Sequence, residues 1–302
     1  MAHSVIVASA QYPITKHADF AGWQRHVEEW IQDAADQHAQ LLLFPEYGSM
    51  ELVSIFPVEI QNDLVRQIIE LDAYKERFCT VFANLAKKYN VIIVAPSLPV
   101  IENGKHLNRA FVFSPKGPAG YQDKLFMTRF ENEHWGIESG AKNLTLFEAE
   151  WGKFGVQICY DVEFGIGSKL LCDAGALLIL GPSCTETIRG ATRVHVGARA
   201  RALENQAYTV ISQTVGEATW SPAVDLNYGY AGFYSAPDKG LPEEGIIALK
   251  TPQAEGWLIQ ELDFSVIDEV RNDGHVFNFR DQGKIESQLA EEPIHIIFSK
   301  LY

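Results

Sequence analysis

Three segments of this 302-residue chain each run through apolar residues and end on a reactive side chain. They are Leu41-Leu-Leu-Phe-Pro-Glu46, Tyr121-Gln-Asp-Lys124 and Val156-Gln-Ile-Cys159. A carboxylate, an ammonium and a thiol suffice for nucleophilic attack on a carbonyl. A free thiol is only a few per cent thiolate at neutral pH. A neighbouring Lys ammonium favours the thiolate, and a neighbouring carboxylate can accept its proton. The same ammonium can stabilise the oxyanion that follows attack, with the backbone N–H after the nucleophile as a second donor. Singly, each residue has a plainer explanation. A lone Cys is more often a small buried hydrophobe, Glu46 could cap a helix, and Lys124 could be a solvated edge-strand charge. Three such residues at three strand ends favour chemistry, because sites in open α/β sheets gather beyond the carboxyl ends of strands.

The elements that must carry these groups follow from periodicity. Val5 to Gln11 reads as a strand, and Phe20, Trp23, Val27, Trp30, Ile31 and Ala34 form the apolar stripe of a helix. Gln40 to Phe44 and Val91 to Ala95 are short apolar strands of the kind buried on both faces. Residues 57–89 read as two helices. Asn108 to Ser114 and Gly120 to Phe126 form a hairpin around a Gly/Pro-rich turn. The loop Met127 to Ala141 holds Glu131, Glu133 and Trp135, and loops of that length are often functional. Then come a strand from Phe154 to Cys159, a helix over 163–173, a strand from Leu177 to Leu180, a helix over 188–206 and a strand from Ala207 to Gln213. The alternation predicts an α/β protein. Further apparent hairpins, among them 245–250 with 256–263, predict mixed sheets. Residues 264–302 look less regular, with Ile294 to Phe298 as a late strand or an extended arm. With no linker and no repeat, one domain spanning 1–302 is expected, with 265–302 as a C-terminal extension.

The segments LLLFPE, YQDK and GVQICYDVEF resemble the signature blocks of the nitrilase superfamily, the carbon–nitrogen hydrolases. Their order matches, as do the separations of 78 residues from Glu46 to Lys124 and 35 from Lys124 to Cys159. ESGAKNLTLFEAEWGKFGV and RARALENQAY look similar too, so the resemblance covers roughly residues 4 to 265. It implies a four-layer αββα sandwich with two mixed central sheets, in subunits that commonly pair as homodimers with help from the C-terminal tail. It implies that Glu46 is the general base and later general acid, that Cys159 forms a thioester, and that Lys124 and the Tyr160 backbone N–H hold the oxyanion. A second glutamate that positions substrate and holds Lys124 is assigned to Glu133, with Glu131 as the rival. Ser183 and Cys184 fall where the family borders its acyl pocket. Tyr47, Trp135 and Phe164 could line the pocket or pack in the core. Asp123 stands where the family often has Arg, Phe164-Gly165-Ile166 replaces Phe-Pro-Glu, and Glu163 stands where many amidase-like members carry Arg. These departures are expected near the site mouth, where they bear on substrate choice. Cys159-Tyr160-Asp161, rather than the Cys-Trp-Glu of nitrile-cleaving members, favours amides.

The predicted activity is thiol-dependent cleavage of a non-peptide amide or carbamoyl C–N bond in a small molecule. N-acyl transfer with the same triad is the near alternative. A metal-dependent phosphoesterase on an αββα sandwich is the distant one, but no Asp/Asn/His ligand set for divalent ions can be assembled. The nine histidines show no HxH or HExxH spacing, so no metal is expected. No P-loop or GxGxxG follows a strand, so no cofactor is expected. A net charge of -14 disfavours nucleic acid and anionic membranes as partners. No uncharged apolar run approaches the roughly 18 residues that span a bilayer. Four cysteines without a CxxC pair, and an opening without a secretory signal, predict reduced thiols and a cytoplasmic protein.

Overall fold

The computed structural model describes residues 3–301; Met1, Ala2 and Tyr302, included in the expected domain, lie outside it. The chain opens with β1 (Ser4–Pro13), α1 (Phe20–Asp36) and β2 (Leu41–Leu43). Asp19 caps α1 by accepting from the Gly22 N–H at 2.7 Å, satisfying one of the helix's free donors. Trp23, Val27, Ile31 and Ala34 form its buried stripe, as the spacing predicts. A 3-10 segment, Gly48–Ile55, leads through α2 (Val58–Gln61) into α3 (Leu64–Tyr89). Asp63 caps α3, and Asn90 ends it in the left-handed region at φ 54°. Then follow β3 (Ile92–Val94), β4 (Leu98–Glu102), β5 (Lys105–Ser114), β6 (Gly117–Asp123), β7 (Leu146–Ala149) and β8 (Gly152–Val156). The second half continues as α4 (Gly165–Asp173), β9 (Leu178–Ser183), α5 (Ile188–Asn205), β10 (Tyr208–Glu217), β11 (Leu226–Asn227), β12 (Gly232–Tyr234), β13 (Ile246–Leu249), β14 (Gly256–Asp263), α6 (Phe264–Asp273) and α7 (Asn278–Glu291).

The strands β3, β2, β1, β10, β9 and β8 lie side by side and parallel. Antiparallel strands flank them: β5 against β3, and β7 against β8. All fourteen strands join one hydrogen-bonded network, in which β1 bonds β2 along one edge, β14 along the other and β10 at its end. The expected division into two sheets is bridged through β1, giving a curled mixed sheet with helices packed on it. Side chains alternate across it. Ala8, Ala10, Tyr12 and Leu42 face one core with α1 and α3, while Val5, Val7, Leu41 and Leu43 face another with α5. Strands buried on both faces explain why Leu41–Leu43 reads as an unbroken apolar run.

Two expectations fail. Residues 246–249 and 256–263 do not form a hairpin, because β13 pairs with β12 and β14 pairs along β1. The tail is more helical than its sequence suggests, since α6 and α7 occupy much of it, and Ile294 to Phe298 is an exposed segment outside any strand. The stripe of α7 packs weakly and none of its residues is buried, so periodicity gave little signal. Among the described residues, no helix is long and apolar enough to cross a membrane.

Candidate active site

Strand direction brings the reactive residues to one edge. β2 and β8 are parallel members of the same run, so Glu46 and Cys159 emerge at the same end. β5 runs against β3, and β6 runs against β5, so β6 points the same way and delivers Lys124 to that edge. β9 delivers Cys184 there. Cys159 and Tyr47 both adopt left-handed backbone, at φ 49° and 56°. Such conformations are costly for non-glycine residues and cluster at functional turns.

Lys124 is buried, and its ammonium lies 2.7 Å from Glu46 Oε1 and 2.8 and 2.6 Å from the two oxygens of Glu131. The second glutamate on the lysine is therefore Glu131, not Glu133. Residues 131–135 make one π-helical turn, which sends Glu131 inward and leaves Glu133 on the surface, paired with Arg129 at 2.7 Å. Tyr47 Oη donates to Glu131 Oε1 at 2.7 Å, and the Thr128 N–H and hydroxyl donate to Oε2 at 2.9 and 2.8 Å. Gly140, which closes the loop, donates its N–H to the Lys124 carbonyl at 3.2 Å. A Cβ there would stand 2.4 Å from the Cβ of Asp123, so only glycine fits.

Glu46 accepts from Asn108 Nδ2 at 2.9 Å and, through Oε2, from the Cys184 N–H at 2.9 Å. The Cys159 thiol donates to the Cys184 carbonyl at 3.7 Å, on the residue whose N–H binds Glu46. The nucleophile turn is tied to the lysine loop by Asp161, whose carboxylate accepts from the N–H groups of Leu125 and Phe126 at 3.1 and 2.8 Å.

Two carboxylates share one ammonium, and their environments separate them. Burial raises the Glu46 carboxyl, and Lys124 offsets this only in part. Burial also acts upward on Glu131, but the charge and hydrogen bonds of Lys124, with the Tyr47 hydroxyl, outweigh it and hold Glu131 below its ordinary range. Lys124 loses hydration on burial, yet Glu131 and Glu46 keep it firmly protonated. Burial, then the Glu46 charge, push the Cys159 thiol well above its ordinary range, against the pull of Lys124. Lys124 does pull toward the thiolate, as the sequence predicts, but burial and the Glu46 charge outweigh it at rest. The arrangement holds a neutral thiol beside a carboxylate able to take its proton.

Cys159, Tyr160 and Cys184 reach a cavity of about 510 Å³. Its wall carries Arg129, Glu163, Glu186, Arg193 and Asp225, with Glu163 and Arg193 at 3.5 Å. Tyr47 and Trp135 do not line it; they are buried against each other with ring centroids 4.7 Å apart. Ser183 is also buried, donating to the Gly181 carbonyl at 3.1 Å. Phe164 packs against Phe126 with ring centroids 4.3 Å apart and planes tilted by 31°. Asp123 is not at the mouth: Arg109 on β5 grips it with two bonds of 2.6 and 2.9 Å. Sequence reasoning missed Asn108, Thr128 and Asp161. Asp161 had a signal, since it follows the nucleophile by two residues; Asn108 and Thr128 are ordinary polar residues until the strands are paired.

The family model for carbon–nitrogen hydrolases matches residues 6–272. Probable hydrolase YhcX of Bacillus subtilis is 34% identical over 93% of this chain, which spans 54% of that relative's length. Omega-amidase NIT3 of Saccharomyces cerevisiae is 28% identical, over 75% of this chain and 78% of the relative. Among solved structures, yeast Nit3, described as a member of branch 10 of the nitrilase superfamily, superposes with a TM-score of 0.72 at 24% identity, covering 89% of this chain and 94% of that one. The carbon–nitrogen hydrolase of Helicobacter pylori gives 0.77 at 18% identity, covering 96% and 98%, and at such identities the likeness speaks for the fold. With the family model matching residues 6–272, most of its length, the chain belongs to the carbon–nitrogen hydrolase family.

Proposed function

We propose that the chain hydrolyses a small-molecule amide through a thioester on Cys159, with Glu46 as proton carrier. The observation that supports this most is the Glu46–Lys124–Glu131 cluster, sealed from solvent beside a thiol that opens onto a cavity. On this reading the amide carbonyl sits against Cys159. The thiol proton passes to Glu46 as sulfur attacks, and Lys124 with the Tyr160 backbone N–H bears the charge that develops on oxygen. Collapse breaks the C–N bond as Glu46 returns the proton to the leaving nitrogen. Glu46 then takes a proton from water, which attacks the thioester and frees the acid and the thiol. Glu131 and Tyr47 position Lys124 without touching substrate.

The relatives named omega-amidases point toward a terminal carboxamide. The cavity wall sets three carboxylates, Glu163, Glu186 and Asp225, against two guanidinium groups, Arg129 and Arg193. That balance suits a substrate whose far end is cationic or zwitterionic better than a plain anion. The same reading takes the chain as one domain, its curled sheet as the centre of a four-layer sandwich, and its assembly as a cytoplasmic homodimer without cofactor.

The test is ammonia release from a panel of primary amides with cationic, zwitterionic and anionic tails, in the presence and absence of a competing amine. Free acid as sole product supports hydrolysis, and an N-substituted amide shows acyl transfer. No turnover of any amide or carbamoyl compound contradicts both.

A further inference from the structure

A second cluster of titratable groups lies outside the cavity lining. Glu51, in the 3-10 segment that begins two residues after Glu46, is fully buried. Its carboxylate accepts only neutral hydrogen bonds: from Tyr12 Oη to Oε2 at 2.8 Å and from the Thr15 N–H to Oε1 at 2.8 Å. Two imidazoles face it. His17 follows β1 and His26 stands on α1, with ring centroids 5.1 Å apart. Their Nε2 atoms lie 3.5 and 3.7 Å from the Glu51 oxygens. These separations are too long for N–H···O hydrogen bonds. Both Nε2 atoms are nonetheless shut off from solvent and have no hydrogen-bond partner. Two buried imidazole nitrogens thus stand unpartnered beside one buried carboxylate, which proteins seldom tolerate.

We infer that His17, His26 and Glu51 bind a divalent transition-metal ion, with zinc as the best-suited occupant and a fourth position left for water. The three donor atoms lie within 4.8 Å of one another, and among the described residues this is the one group of three so placed. Zinc–nitrogen and zinc–oxygen bonds of about 2.0–2.1 Å in a tetrahedron set neighbouring donors about 3.3 Å apart. Small rotations of the two rings would reach that spacing. Two imidazoles and a carboxylate are a common donor set for such ions. Tyr12 and Thr15 already hold the carboxylate by hydrogen bonds, the support a ligating group needs. The His26 side chain, 21% exposed, leaves an entry path. A bound ion would fasten three separate pieces: the turn after β1, α1 and the segment continuing from Glu46. None of the three lines the cavity that Cys159 reaches, so on this inference the ion braces the carboxylate loop and does no chemistry at sulfur.

The test uses chelator-stripped Cys159→Ala protein, which removes the reactive thiol as a competing ligand. Equilibrium dialysis against zinc is expected to load one ion per chain and raise Tm. His17→Asn and His26→Asn should each weaken binding at least tenfold and abolish the Tm shift. Cobalt substitution should give a spectrum without a thiolate charge-transfer band. Should a histidine variant not fold, crystals of the unaltered chain soaked in zinc give an independent answer through an anomalous peak between His17, His26 and Glu51. Zinc binding unchanged by both substitutions, or soaked crystals with no peak at that point, overturns the proposal.

Discussion

Glu131 and Glu133 are two residues apart and chemically identical, yet the structure gives them opposite weight. Glu131→Gln replaces one oxygen of a carboxylate that faces six donor contacts: two from Lys124, two from Thr128 and one each from Tyr47 and Asn108. In either flip, the new NH2 would point at donors and leave buried groups unpaired. It would also remove the charge that offsets Lys124. Breaking a buried charge pair by removing one partner costs about 3–5 kcal/mol. If that cost falls on positioning Lys124 in the transition state, kcat/KM drops by roughly 10² to 10³ or more, at about 1.4 kcal/mol per factor of ten. Lys124 would then lean on Glu46, lowering its basicity, so kcat should carry most of the loss. Glu133→Gln removes only a surface pair with Arg129 on neighbouring helical turns. Such pairs are worth about 0.3–0.5 kcal/mol, so activity should stay within about twofold. The assay is steady-state ammonia release for both variants, with urea unfolding to separate rate from stability. Equal losses, or a larger loss at Glu133, would refute the assignment.

Three other outcomes are expected. The acid limb of kcat/KM should lie above the 4.5 of an ordinary Glu, because burial raises Glu46, and alkylation of Cys159 in the absence of substrate should keep accelerating past pH 9. An alkylation rate that levels off near neutrality contradicts the neutral resting thiol. Burial pushes Asp161 from 3.8 up to about 7, so the folded chain holds that proton more tightly than the unfolded one. The resulting stabilisation is present in full below about 3.8 and is lost as pH rises through about 7. The urea stability of the parent relative to Asp161→Asn should therefore fall between pH 4 and 7, by up to about 4 kcal/mol; a flat difference contradicts this. Glu163→Gln should release Arg193 from its partner. KM for amides with an anionic tail should then drop about three- to tenfold, consistent with about 1 kcal/mol for one charge interaction at close range in water, while amides with cationic tails bind more weakly. Unchanged selectivity would remove Glu163 from substrate choice.

The convergence of Glu46, Lys124 and Cys159 was legible because each follows the end of a strand, and strand ends are where α/β folds collect chemistry. The buried strands were legible too: Leu41–Leu43 has no polar face to expose. The choice between Glu131 and Glu133 was not, because a π-helical turn, rather than spacing, decides which carboxylate faces inward. Tyr47 and Trp135 look like pocket aromatics in the sequence, and only packing shows that they back the cluster. Asp123 looked like a mouth residue until Arg109, fourteen positions earlier, was placed across the β5–β6 ladder. The group of His17, His26 and Glu51 has no motif spacing, since a turn, a helix and a 3-10 segment contribute one residue each. Long-range pairing carries all of this information, and local sequence does not.

The most direct test of the central claim is intact-mass spectrometry of Glu46→Gln protein mixed with an amide substrate and quenched in acid. An increase equal to the acyl group, mapped to the Cys159 peptide and missing in a Cys159→Ala, Glu46→Gln double variant, is the predicted result. Full turnover by Cys159→Ala, or an adduct that persists in the double variant, would contradict it.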